Sequence, residues 1–163
     1  MVYHKRKIAI LALFVCFLNL NAGEQVEVTA DDFFADEIKL VSTLTGNVII
    51  KKGSYDTLKS DKVVINFDAK KQPLKYTATG NANFKILLNE KHYDGKGGVL
   101  TYIPNDEIYM LENNAYLHES ESKKEVFGDK IIVNRKKGTY EVKGGGSQKK
   151  PVKLIFEVED NKK

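Results

Sequence analysis

Apolar and polar residues alternate with a period of two along most of the chain beyond its first two dozen residues. Val48 and Ile50 share one face against Ile49 and Lys51, and Val63, Ile65 and Phe67 share one against Lys62, Val64 and Asn66. The pattern returns in Phe84, Ile86 and Leu88, in Leu100 and Tyr102, in Ile131 and Val133, and in Val152, Leu154, Phe156 and Val158. Successive side chains of a strand point to opposite sides, so each run predicts a strand with one apolar face. No long stretch after the N-terminal segment carries a 3.6-residue apolar stripe, and Gly, Asn and Asp recur at short intervals as turn formers. The fold class is therefore all-β. Residues 31–36, Asp-Asp-Phe-Phe-Ala-Asp, could form a helical turn but are expected to link two strands.

A repeat underlies the strands. Gly46-Asn47-Val48, Gly80-Asn81-Ala82 and Asn113-Asn114-Ala115 each read as a strand opening, and their middle asparagines lie 34 and then 33 positions apart. Behind the first and third come Lys59-Ser60-Asp61-Lys62-Val63 and Phe127-Gly128-Asp129-Lys130-Ile131. The second has Gly95-Lys96-Gly97-Gly98-Val99-Leu100, which keeps the glycines but loses the Asp-Lys pair. A constant period in a strand-rich chain predicts one multi-strand unit stacked repeatedly, hence an elongated body with strands crossing its long axis. Such a stack encloses one inner surface from end to end. Periodicity leaves open whether that surface is a filled core or an apolar groove splayed along one edge.

Lys5, Arg6 and Lys7 followed by the apolar run from Ile8 to Leu18 predict an export signal over residues 1–22, cleaved after Ala22. A lipid-attachment signal needs a small residue before Cys16, where Val15 and Phe14 stand. Cleavage removes that single cysteine, so the mature fold rests on packing and strand pairing without disulfides. The signal holds three of the 26 basic residues and none of the 22 acidic ones, leaving a mature balance of +1. Nothing in that balance provides the basic stripe nucleic acid requires. Residues 23–143 form the repeat region, 144–148 a Gly-rich hinge, and 149–163 a C-terminal strand with a Lys-rich tail.

Catalytic chemistry finds no support. His92 and His118 lie on separate strands without metal-ligand spacing, and the serines lack a nucleophile-elbow setting. Gly95 to Gly98 and Gly144 to Gly146 have no Walker spacing and open no helix, so they are read as bends and a hinge. No catalytic residue, metal or cofactor is expected. Asp106-Glu107 and residues 119–125 read as solvated acidic turns, and Lys51, Lys52, Lys70, Lys71, Lys136 and Lys137 as a basic rim at strand ends.

Taken in order, Val26-Glu27-Val28-Thr29-Ala30-Asp31, Leu44-Thr45-Gly46-Asn47-Val48-Ile49-Ile50, Lys59-Ser60-Asp61-Lys62-Val63-Val64, Leu111-Glu112-Asn113-Asn114-Ala115-Tyr116-Leu117 and Gly128-Asp129-Lys130-Ile131 resemble the OstA-like family. The resemblance runs from Val26 to Val142. It implies a slightly twisted β-jellyroll with a V-shaped cross-section, whose inside shelters the lipid A acyl chains of lipopolysaccharide while the sugars stay in water. It further implies a periplasmic location and head-to-tail self-association into a bridge between inner-membrane and outer-membrane lipopolysaccharide transport components. The family's lipid-facing positions fall on Val26, Val28, Phe84 and Tyr102, with Pro104 beside the last. By alternation Val48, Ile50, Val63, Ile65, Ile86, Leu100, Ile131 and Val133 share that surface. Asn113 departs from the family's Gly, and the tail beyond Val142 is unlike the family's polar end. Two other readings stand beside this one: an inner-membrane-anchored relative with an uncleaved signal, and a structural β-solenoid with a filled core. The run from Val152 to Val158 is expected either to pair with the first strand of another copy or to fold back over its own groove.

Overall fold

The computed structural model describes residues 25–145 and 149–159, so the export signal, residues 146–148 of the Gly-rich hinge and residues 160–163 of the Lys-rich tail lie outside the described residues. The described chain forms ten strands: β1 (Val26–Thr29), β2 (Asp32–Asp36), β3 (Val41–Lys52), β4 (Asp56–Phe67), β5 (Pro73–Leu88), β6 (Lys91–Ile103), β7 (Ile108–Glu119), β8 (Lys124–Asn134), β9 (Thr139–Lys143) and β10 (Lys153–Ile155). A single 3-10 turn, Pro104–Asp106, links β6 to β7. All pairings are antiparallel, in the order β1-β3-β4-β5-β6-β7-β8-β10, with β2 also on β3 and β9 also on β8. The sheet does not close. β1 and β2 lie end to end along β3, and β9 and β10 lie end to end along β8, so each terminus supplies one edge.

Residues 32–36 are thus a strand and not a link or helical turn, because β3 offers them a full row of partners from Thr45 to Val41. The Gly-Asn and Asn-Asn triplets do not open strands; they sit in the middle of β3, β5 and β7. At each, the strand carries one residue more than both neighbours, as where Thr45 and Val48 face Lys62 and Ser60. Gly46 and Asn47 have φ of 80° and 47°, Gly80 and Asn81 78° and 49°, and Asn113 and Asn114 63° and 59°. Gly and Asn are the residues that tolerate this left-handed region. An extra residue bends a strand and increases its twist, and three such bulges in line crease the whole sheet. Gly95 to Gly98 likewise lie inside β6 and form no bend between strands.

The crease explains the two irregularities of the repeat together. A Cβ on Gly46 or Gly80 would overlap the carboxylate of Asp31 or Asp61, while Asn47 and Asn81 donate to those carboxylates at 2.9 and 3.1 Å. At the third bulge the larger residue, Asn113, is on the creased strand, and the facing position is Gly98, where a Cβ would come within 2.9 Å of Asn113 Cβ. Large and small have changed places.

The crease divides the sheet into two leaves. In the second leaf, Leu44, Val63, Ala78, Leu100, Leu111 and Ile131 are paired strand to strand in one unbroken row, each 8% exposed or less. Val48, Ala82 and Ala115, immediately after the three bulges, are 2% exposed or less. The core therefore follows the crease and the second leaf's inner face. Ile131→Val, which removes one methylene from this row, is expected to lower stability by about 0.5–1.5 kcal/mol. Chemical denaturation should show a lower midpoint with an unchanged slope.

Candidate functional site: an apolar cleft between the leaves

The first leaf carries its own row. Val28, Ile50, Leu58, Phe84, Gly95, Leu117, Val126 and Leu154 are successive register partners across eight strands, all on the face turned towards the second leaf. Between the leaves lies a cavity of about 610 Å³. Val26, Val28, Ile50, Leu58, Phe84 and Ile86 line it from the first leaf, and Val63, Ile65, Tyr76, Ala78, Leu100, Tyr102 and Leu111 from the second. Its volume falls in the range of ligand pockets, about 300–1,000 Å³, and its walls are mostly hydrocarbon.

Polar groups gather at the mouth. Lys52 and Asp56 border it on one lip; Asn105, Glu107, Arg135 and Lys136 border it on the other. There Arg135 approaches Glu107 at 3.9 Å and the Lys136 ammonium donates to the Asn105 carbonyl. Just inside this lip Tyr76, Tyr102 and Tyr109 are register partners on β5, β6 and β7, with ring centroids 5.9 and 4.5 Å apart. Burial, then the neighbouring Tyr102, pushes the Tyr76 phenol far above its usual range. Burial followed by Tyr109 does the same to Tyr102. Both rings thus present neutral hydroxyls. His92 and His118 lie elsewhere: His118 meets Asp94 at 2.8 Å on the opposite face of the first leaf, and His92 meets Glu121 and packs edge-on against Tyr55. Hydrogen bonds from His92 hold the Glu121 carboxyl below the usual carboxylate range.

The model of the LptA/(LptD N-terminal domain) LPS transport protein family matches residues 27–139. The chain belongs to this family. The lipopolysaccharide export system protein LptA of Haemophilus influenzae is 32% identical over 139 residues, which cover 83% of this chain and 79% of that protein. The crystal structure of LptH, the LptA homologous periplasmic component of the lipopolysaccharide transport device of Pseudomonas aeruginosa, shares the fold with a TM-score of 0.68 at 17% identity. That likeness covers 82% of this chain and 96% of the other. The family match begins in β1 and ends on the first residue of β9, so it includes every bulge and excludes β10.

In this LptA-family chain, nine of the twelve residues singled out from sequence reach the cleft: Val26, Val28, Ile50, Val63, Ile65, Phe84, Ile86, Leu100 and Tyr102, with Pro104 at the mouth. Val48 and Ile131 are each 1% exposed and belong to the packed core, and Val133 packs against that core from β8. Leu58, Tyr76, Ala78 and Leu111 also line the cleft and escaped the sequence reading. Tyr76 and Ala78 stand two apart, a signal of the same kind as Leu100 and Tyr102. The tyrosines also make a pH test. A phenol whose folded pKa is raised stabilises the fold fully below its unfolded value near 10, and that stability is lost as pH climbs above it. Thermal melting temperatures should therefore fall between pH 9 and 11, and fall less in Tyr76→Phe.

Proposed function

We propose that this LptA-family chain is a periplasmic, non-enzymatic carrier that shelters the lipid A acyl chains of lipopolysaccharide in the cleft while the sugars remain in water. The observation that carries the reading is the apolar cavity between two continuous hydrophobic rows. Burial of hydrocarbon stabilises by about 25 cal/mol per Å², so shielding acyl chains needs no charge chemistry, metal or cofactor. The nine cleft-lining residues named above would touch lipid, with Val48, Ile131 and Val133 completing the closed side. The names of its relatives, an export system protein and a periplasmic component of a transport device, point the same way. A cleaved signal over residues 1–22 would deliver it to the periplasm.

Its place would be in a bridge joining inner-membrane to outer-membrane lipopolysaccharide transport components. The β1/β2 edge and the β9/β10 edge each offer unpaired backbone groups, and joining unlike edges head to tail gives open filaments rather than closed dimers. β10 pairs with β8 at that far edge instead of folding over the cleft, and Leu154 and Phe156 remain exposed there at 57% and 59%. If the chain self-associates in this way, light scattering of the intact protein should show mass rising with concentration, and deletion from Gly144 onward should leave a folded monomer without those larger species.

Mass spectrometry of protein isolated from the periplasm tests the central reading: lipid A should accompany it, and protein free of lipid in cells rich in lipopolysaccharide would overturn it. His92→Ala combined with His118→Ala should leave transport intact. A transport defect in stable double-mutant protein would instead implicate proton or metal chemistry.

A further inference from the structure

The two walls of the cleft are of unequal length. On the second leaf the lining continues through Leu111 of β7 to Arg135 just beyond β8, whereas on the first leaf it stops at β5. The next inner positions of the first leaf, Gly95, Leu117 and Val126, do not line the cavity: Gly95 is buried, and Leu117 and Val126 pack against the core as Phe84 itself does, but without facing open space. The change occurs at one contact. Phe84 and Gly95 are register partners, and a Cβ on Gly95 would lie 2.6 Å from Phe84 Cε1 and Cζ and 3.1 Å from Leu111 Cδ2 of the opposite leaf. The phenyl ring therefore occupies the notch left by the missing side chain, at the point where the leaves meet. Phe84 itself is only half-buried. A phenylalanine side chain moves between staggered χ1 wells, and Gly95 contributes no side-chain atoms to hold the ring where it is.

We propose that Phe84 is both the end wall and the gate of the acyl compartment. Seated over Gly95, its ring stops acyl chains at β5; rotated away, it joins that compartment to the inner face of β6, β7 and β8. The inference rests on the lipid-carrying reading and adds to it a division of the cleft into an open part and a part that must be opened. A lipid moving along the cleft towards the β10 edge must displace this ring.

The test uses the full-length protein with p-benzoylphenylalanine at position 50 or at position 117, exposed to lipopolysaccharide and ultraviolet light. With Phe84 present, capture at 50 should exceed capture at 117. In Phe84→Ala, and in Phe84→Leu, which keeps an aliphatic side chain in place against loss of fold, the ratio of capture at 117 to capture at 50 should rise several-fold. An unchanged ratio in both variants, with lipid still captured at 50, overturns the gate and leaves the carrier reading standing. No capture at 50 in any background overturns both.

Discussion

Phe84→Asp and Tyr102→Asp are each expected to abolish photocrosslinking of lipopolysaccharide while leaving the strand signal in circular dichroism close to that of the unaltered protein. Phe84 sits in the first leaf's inner row between Leu58 and Gly95, and Tyr102 sits between Tyr76 and Tyr109 on the second. A carboxylate at either place faces hydrocarbon walls. It must be stripped of water, at a cost of several kcal/mol, or draw water into the cleft, and both outcomes oppose acyl-chain binding. The fold should tolerate the change because both side chains border an open cavity and are only partly buried, unlike Val63 and Ile131 at 1% exposure. Undiminished lipid capture by folded protein carrying both substitutions would mean that the cleft is not where lipid binds.

The second large effect lies at the crease. Gly80→Asn should destabilise the protein by about 1–3 kcal/mol, since the new Cβ is driven into the Asp61 carboxylate. Adding Asp61→Gly should return most of that loss, because the pair then reproduces the arrangement of Asn113 and Gly98 two strands further on. The two substitutions would be strongly non-additive, as expected of groups in contact, and denaturant midpoints of the two single variants and the double variant would show it. A double variant no more stable than Gly80→Asn would mean that the exchange of large and small at the third bulge is incidental.

The strands themselves are legible because period-two alternation is strong wherever one face is buried and the other wet. The Gly-Asn triplets mislead for a physical reason: a hairpin turn and a mid-strand bulge both demand left-handed φ, so the same residues serve both. Only cross-strand partners, such as Thr45 with Lys62 and Val48 with Ser60, separate the two cases. β2 is hidden because Phe33 and Phe34 are adjacent and cancel the alternation. Within the cleft, Leu58 stands alone among polar neighbours, and Leu111 follows Tyr109 and Met110, which blur its parity. Val48 and Ile50 share a strand and a face, yet one is core and the other cleft, because they differ in distance from the crease. Gly95 contributes through a missing side chain, which no hydrophobic pattern can register.

The crease also sets how the cleft scales. Each long hairpin brings one bulged strand and one plain strand, so the angle between the leaves is fixed locally and repeated down the body, as the profile of an extruded channel is. Inserting or removing one whole hairpin would change the channel's length by about 10 Å, two strand spacings, without redrawing its profile. Inserting a single strand would put two plain or two bulged strands side by side and break the profile there. The reach of such a channel is therefore a whole-number quantity, counted in hairpins.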